Sequence, residues 1–184
     1  QLRISSTHDA LTKVMNRAFF EERMADELVR GRRTGQPLCV ALLDIDHFKR
    51  VNDEHGHDAG DAALQVVASV MRRSLRRTDL LARYGGEEFA VTFPETRLPE
   101  AFGKLEQLRL EIASHTILLP SGAELRLTVS AGLAMAALDG ADVRTLLHAA
   151  DQRLLDAKRG GRNRVSVSSV SRPQSGPWRV IVAS

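Results

Sequence analysis

Cysteine and aromatic residues are scarce in this sequence, and each scarcity argues against one class of protein. The single cysteine, Cys39, lies in the apolar run 38–43. It has no partner for a disulfide within the chain, so we expect a reducing, cytoplasmic setting. Aromatic residues make up only 4% of the chain, which leaves little material for the stacking platforms that bind single-stranded nucleic acid. We therefore expect no nucleic-acid partner.

Long apolar stretches are absent as well. No uninterrupted run reaches the roughly 18 residues that a membrane helix requires, and no secretory signal pattern opens the sequence. Residues 1–4 look like the end of a longer helix, so we expect an upstream sensor domain outside this chain. The chain is then a cytoplasmic domain, and any membrane anchor of the full-length protein belongs to its upstream part.

Positive charge is present in slight excess. The formal net charge is +3 and the isoelectric point is about 9.5, with arginine and lysine clustered at 30–33, 72–77 and 158–164. Such clusters favour polyanions, and nucleotide phosphates are the first candidates. Contact with a nucleic-acid backbone is a remote alternative.

The chain has 184 residues, 43% of them hydrophobic, which suits one core better than two domains. Asn16 is expected to cap the first helix. Periodicity predicts helices at 17–33, 47–53, 62–77, 99–115 and 142–159, with Gly56 and Gly60 in a loop. Strands are predicted at 38–45, 79–84, 87–93, 117–119, 124–135 and 163–167. This order predicts an α+β fold with a ferredoxin-like core, helices on the faces of the sheet and an antiparallel hairpin at its centre.

One predicted hairpin carries unusual charge, in the segment Arg83-Tyr84-Gly85-Gly86-Glu87-Glu88-Phe89. The glycine pair predicts a tight two-residue turn with positive φ. Two acids beside bare backbone amides can hold a divalent cation and admit phosphate oxygens to the main chain. Taken alone, the motif is more typical of an ordinary acidic hairpin than of a metal or phosphate site.

Acidic residues also close the buried strand at 38–45, as Asp44-Ile45-Asp46. At the sheet edge, Asp44 and Glu87 can share magnesium with triphosphate oxygens, and Lys49 lies one helical turn further on. Capping of the short helix at 47–53 is the alternative role for Asp44 or Asp46.

At these positions and others the chain resembles the GGDEF family of diguanylate cyclases. The hallmark of the family stands here as Gly85-Gly86-Glu87-Glu88-Phe89, with Glu in the third position. The other matching segments are 9–17, 44–53, 56–61, 130–132 and 150–163. Together these segments extend from the beginning of the chain to the last predicted strand.

The resemblance implies a nucleotidyl-cyclase-like fold and an enzyme that joins two GTP molecules into cyclic di-GMP, with release of pyrophosphate. Each domain would hold one GTP, so a homodimer is implied. Mg²⁺ or Mn²⁺ would be bound by Asp44, the Ile45 carbonyl and Glu87. Glu87, Glu88 and Lys49 would be the catalytic residues, and either glutamate could help to deprotonate the attacking 3′-hydroxyl.

The resemblance also implies the contacts to GTP. Asn52, His57 and Asp61 would line the guanine pocket, where an amide and a carboxylate can read the N1–H and N2–H₂ edge. An ordinary loop hydrogen bond is an equal alternative for His57. The implied phosphate contacts are Phe48, Lys49, Gly85, Gly86, Lys158 and Arg162.

Arg76 and Asp79 match the Arg-x-x-Asp site at which product inhibits the family, and a salt bridge at the start of a strand is their alternative role. Some family members add an arginine on the following helix. The corresponding residues here are Gly103, Lys104 and Gln107, so we expect weaker product binding. In the last helix Arg153 replaces a usually small residue and Leu155 a usual tyrosine, which we expect to alter packing.

The expected domains are the end of an upstream linker with the first motif at 1–15, the catalytic domain at 16–167 and a flexible tail at 168–184. A catalytically silent module that binds GTP or cyclic di-GMP is the alternative function. The complete set of acids at positions 44, 87 and 88 favours the enzyme, since a receptor would not need to hold a metal ion.

Overall fold

The computed structural model describes residues 6–167. The predicted helix end at 1–4 and the predicted tail at 168–184 lie outside the described residues. Helix α1 (Arg17–Thr34) begins as predicted, because the Asn16 side chain accepts a hydrogen bond from the Phe19 amide at 2.9 Å. It ends at Gly35, whose φ of 69° is the left-handed conformation that glycine supplies at helix ends.

The other helices are α2 (Phe48–His55), α3 (His57–Ser74), α4 (Leu98–Ser114) and α5 (Val143–Arg159). The loop predicted at Gly56 and Gly60 is wrong. Gly56 alone separates α2 from α3, and Gly60 lies in the first turn of α3. A Cβ on Gly60 would come within 1.9 Å of the Asn52 Oδ1 atom, so this glycine lets two helices touch. No helix among the described residues is both long and apolar enough to cross a membrane.

The strands are β1 (Leu38–Ile45), β2 (Leu80–Arg83), β3 (Glu88–Pro94), β4 (Ile117–Leu118), β5 (Glu124–Leu125), β6 (Val129–Met135) and β7 (Val165–Val167). The five-stranded sheet has the order β2-β3-β1-β6-β7. Its pairs are antiparallel except β6 with β7. The predicted α+β fold, with a mainly antiparallel sheet flanked by helices, is confirmed.

Strand β1 is buried along its whole length because helices cover both faces of the sheet. Cys39, Ala41 and Leu43 face the cluster that α2, α3 and α4 help to form. Val40 and Leu42 face the cluster formed with α1 and α5. This alternation explains why the run 38–43 is apolar at every position.

Two predictions about the strands are wrong. The hairpin β2–β3 occupies one side of the sheet and β1 its centre. The strand predicted at 124–135 is split between two sheets, because β5 pairs only with β4 whereas β6 pairs with β1. Residues 126–128 connect them, and the Thr128 carbonyl accepts a hydrogen bond from the Asp46 amide at 2.9 Å.

Candidate active site

A cleft of about 610 Å³ opens at the end of the sheet where the central strand β1 finishes. Residues from β1, α2, the β2–β3 turn and the end of α5 form its walls. The predicted site residues that line it are Asp44, Ile45, Phe48, Lys49, Glu87, Lys158 and Arg162. The fold therefore gathers residues that are more than 110 positions apart in sequence, as the pair Lys158 and Asp44 shows.

Asp44 and Glu87 line this cleft, whereas the predicted site residue Glu88 is not among its lining residues. Asp44 pairs with Glu88 across β1 and β3, and the Ile45 amide donates to the Glu87 carbonyl at 3.2 Å. Burial raises the pKa of Asp44, and the charges of Glu87 and Asp46 add to that rise. Burial also raises the pKa of Glu88, with a further contribution from Asp44. The carboxylates of Asp44 and Glu88 are therefore partly shielded from water.

Lys158 is the cation that offsets this charge. Its Nζ atom donates to the Asp44 Oδ2 atom at 2.8 Å, which lowers the pKa of Asp44 against the effect of burial. Lys49 lies at the mouth of the cleft, where its largely exposed side chain donates to Asp53 at 2.9 Å. Neither Asp44 nor Asp46 caps α2, because its N-cap is His47 without a side-chain hydrogen bond.

The hairpin turn differs from the predicted two-residue turn. The amides of Tyr84 and Gly85 both donate to the Glu88 carbonyl, and four residues, 84–87, connect the strands. Neither glycine has a positive φ. A Cβ on Gly85 would lie 2.6 Å from the Glu88 Oε2 atom, so a larger residue there would displace the Glu88 carboxylate, whereas a Cβ on Gly86 would meet open space.

Arg83 ties this turn to the first motif of the chain, a role that sequence reasoning missed. Its Nε and Nη2 atoms donate to the Gly86 carbonyl at 3.0 and 2.9 Å, and Nη1 pairs with Asp9 at 3.3 Å. Burial would raise the pKa of Asp9, but hydrogen bonds from Thr12 and the charge of Arg83 hold it below its ordinary value. The arginine two residues before the hairpin glycines was the available signal.

The predicted guanine readers Asn52, His57 and Asp61 are not among the residues that line the cleft. They lie on α2 and the first turn of α3, with His57 and Asp61 exposed. Phe48 connects the two regions, because it lines the cleft and its Cζ atom would be 3.1 Å from a Cβ on Gly60.

A second cleft, of about 380 Å³, surrounds Arg76. The Arg76 amide donates to the Asp79 Oδ2 atom at 2.8 Å, whereas the two side chains approach only to 3.8 Å. The Asp79 Oδ1 atom is buried without a hydrogen-bond partner among the described residues. Sequence reasoning missed two further arginines of this cleft, Arg23 and Arg30, which α1 supplies.

Comparison with known proteins identifies close relatives of this arrangement. Residues 6–164 match the family described as "Diguanylate cyclase, GGDEF domain". The chain is 44% identical over 161 residues to the diguanylate cyclase DgcP of Pseudomonas aeruginosa, with 87% of this chain and 24% of that protein covered. It is 36% identical over 164 residues to the diguanylate cyclase DosC of Escherichia coli, with 89% of this chain and 35% of that protein covered.

Among solved structures, the GGDEF domain of DgcB from Caulobacter crescentus, crystallised with c-di-GMP, superposes with a TM-score of 0.85. The two chains are 37% identical, and the match covers 92% of this chain and 97% of that one. The chain thus spans about a quarter to a third of the curated relatives described above, and nearly the whole of this isolated domain.

Proposed function

The chain belongs to the GGDEF family of diguanylate cyclases, and from this premise we propose that it condenses two GTP molecules into cyclic di-GMP and releases two pyrophosphates. One observation carries the proposal. The acids Asp44 and Glu87 meet Lys158 in one open cleft, with Glu88 opposite Asp44 on the neighbouring strand, although nothing in the core requires charge there.

The donor set suits Mg²⁺ or Mn²⁺. Within residues 6–167 no cluster of three His, Cys, Asp or Glu side chains is placed to hold a metal ion. Mg²⁺ needs no such cluster, because it keeps several waters and binds through one or two carboxylates plus substrate phosphates. Asp44, Glu87 and the Ile45 carbonyl form that smaller set. When bound, the metal would neutralise triphosphate charge and acidify the attacking hydroxyl.

The chain's own residues would orient the triphosphate. Lys158 already faces Asp44 and would shift toward phosphate oxygens, while Lys49 and Arg162, which also line the cleft, would contact them. Gly86 is exposed and a Cβ there would meet open space, so phosphate oxygens can approach its backbone closely, whereas the Gly85 amide already donates to the Glu88 carbonyl. Glu88 would accept the proton of the 3′-hydroxyl, because its raised pKa makes it a better base than an exposed glutamate.

Guanine would lie beside Phe48, toward Asn52 and Asp61. A carboxylate and an amide can accept from and donate to the edge of guanine, and adenine lacks the matching pair of donors. His57 is the first residue of α3 and is exposed. It would contact the base or the ribose.

Two chains are needed, since each cleft is proposed to hold one GTP and the product contains two. We propose a homodimer in which the two clefts face each other, brought together by an upstream sensor domain. Product would bind at the second cleft, where the guanidinium groups of Arg76, Arg23 and Arg30 offer donors. Asp79 is not among the residues that line this cleft and would hold the Arg76 backbone in place.

The direct test is incubation of the chain at high concentration with GTP and Mg²⁺, followed by mass spectrometry of the nucleotides. Cyclic di-GMP and pyrophosphate in a 1:2 ratio support the proposal. GTP binding with no turnover in a demonstrated dimer would favour the silent binding module instead.

A further inference from the structure

Asp46 is a buried acid in the active cleft that the proposed chemistry does not use. It lies at the end of β1 and is 4% exposed. Its carboxylate accepts hydrogen bonds from the Ser130 hydroxyl at 2.7 Å, the Thr128 hydroxyl at 2.7 Å and the Asn163 amide at 3.0 Å. Both oxygens are therefore engaged by the protein, which distinguishes Asp46 from the acids at positions 44 and 87.

The segment that Asp46 reaches has an unusual backbone. Arg162 and Asn163 follow one another with φ values of 63° and 46°, in the left-handed region that residues with a Cβ adopt at a cost. Two such residues in succession persist only where the surroundings hold them.

The holding contacts come from three directions. The Asn163 amide donates to Asp46, the Asn163 Oδ1 atom accepts from the Arg109 Nη1 atom at 2.8 Å, and the Arg162 amide donates to the Ala157 carbonyl at 3.0 Å. Of these, the contact with Asp46 is the one that ties the segment to the end of β1, where the proposed metal ligands Asp44 and Ile45 lie.

We propose that Asp46 is a positioning residue, which fixes the segment 162–163 so that Arg162 and Lys158 face the triphosphate. Arg162 lines the cleft, and Lys158 precedes the segment by one helical turn and contacts Asp44. The identity of the phosphate ligand rests on the proposed function, whereas the tether itself does not.

The tether is tested first, in the free protein, by amide hydrogen exchange measured by NMR. Asp46→Ala should remove the protection of the Asn163 amide. Asp46→Asn should keep it, since the amide oxygen can accept from Asn163 while Ser130, as a hydroxyl, can turn to accept from the new NH₂ group. Should Asp46→Ala fail to fold, Asp46→Ser replaces it, because serine is too short to reach Asn163. An Asn163 amide that stays protected in these short variants overturns the tether.

The positioning role is tested by calorimetric binding of a non-hydrolysable GTP analogue with Mg²⁺. We expect Asp46→Ala to weaken binding about 10- to 100-fold, as loss of an orienting partner commonly does, and Asp46→Asn to restore it to within about threefold. Ser130→Ala is the matched control. It removes one hydrogen bond from the same carboxylate but leaves the bond to Asn163, so affinity should not change.

Each further outcome is decisive. Unchanged affinity in a folded Asp46→Ala, or equal losses in Asp46→Ala and Ser130→Ala, overturns the positioning role. A parent protein that does not bind the analogue overturns the proposed function and the phosphate ligand with it, while amide exchange still decides whether Asp46 holds the segment.

Discussion

Helix α5 lies directly on β6 at Gly132, and this contact sets the position of Lys158. A Cβ on Gly132 would lie 2.1 Å from the Ala150 carbonyl oxygen and 2.3 Å from the Leu154 amide nitrogen. Both atoms belong to the helix backbone, so no side chain can rotate away. An ordinary carbon to oxygen contact is about 3.3 Å or longer, and Gly132→Ala must therefore push α5 off the sheet by roughly 1 Å.

Two losses should follow. Overpacking of a core costs about 1–3 kcal/mol, and because rigid backbone is displaced here we expect the upper end, about 3 kcal/mol of the free energy of unfolding. The same displacement would carry the Lys158 Nζ atom, now 2.8 Å from Asp44, beyond hydrogen-bonding distance. Turnover should fall along with stability.

Urea unfolding and the cyclase assay measure these losses, and Gly103→Ala is the matched control. Gly103 lies inside α4, and a Cβ added there would have no described atom within 4 Å. Alanine at this position should stabilise the fold by about 0.5–1 kcal/mol through its helix propensity. A Gly132→Ala variant with the stability and turnover of the parent would refute the argument that α5 is positioned by this contact.

Three further substitutions test separate parts of the site. Because the folded pKa of Asp44 is raised, the stability that this residue contributes is fully present below its ordinary pKa of 3.8 and is lost as the pH rises through the folded value. Asp44→Asn should therefore abolish turnover but raise the urea midpoint at pH 7, and a lower midpoint would contradict this. Asp61→Ala should lower discrimination between GTP and ATP at least about tenfold in competing turnover assays; unchanged rejection of ATP would show that another group reads the base. Arg76→Ala should raise the final level of product without changing the initial rate, and progress curves with identical plateaus would show that no inhibitory site operates there.

Elements whose signals are local could be predicted from the sequence. Asn16 and Gly35 bound α1 as their chemistry predicts, and the apolar run 38–43 is a strand buried on both faces. Capping depends only on neighbouring amides, and burial leaves no polar position in a central strand, so neither signal needs knowledge of the fold.

Features that depend on contacts between distant segments could not be predicted. Gly60 looked like a loop residue, although it is helical and is small because Asn52 packs against it. The glycines of the hairpin suggested positive φ, although neither has it, and a Cβ on Gly85 would instead displace the Glu88 carboxylate. In both cases the sequence shows that a glycine is present. Only the fold shows whether the backbone conformation or a close contact is the reason.

The structure shows what Arg153 contacts, although the altered packing expected there and at Leu155 stays a prediction. The side chain is buried, and its guanidinium donates to Asp139 and, at 2.6 Å, to the Leu133 carbonyl. Burial would raise the pKa of Asp139, but the hydrogen bonds and charge of Arg153 help to hold it below its ordinary value. Arg153 thus fastens α5 to the end of β6 and points away from the cleft, a role that a substitution pattern alone does not specify.

We propose that the acids at the end of β1 and in the hairpin support the cyclisation of GTP. The most direct measurement is formation of cyclic di-GMP by the parent and by Glu87→Gln, at equal concentration with GTP and Mg²⁺, with Glu22→Gln on the exposed face of α1 as the control. We expect cyclic di-GMP from the parent and from the control, and none from Glu87→Gln. All three proteins should be equally stable to urea. Product formed at a similar rate by Glu87→Gln would contradict this proposal.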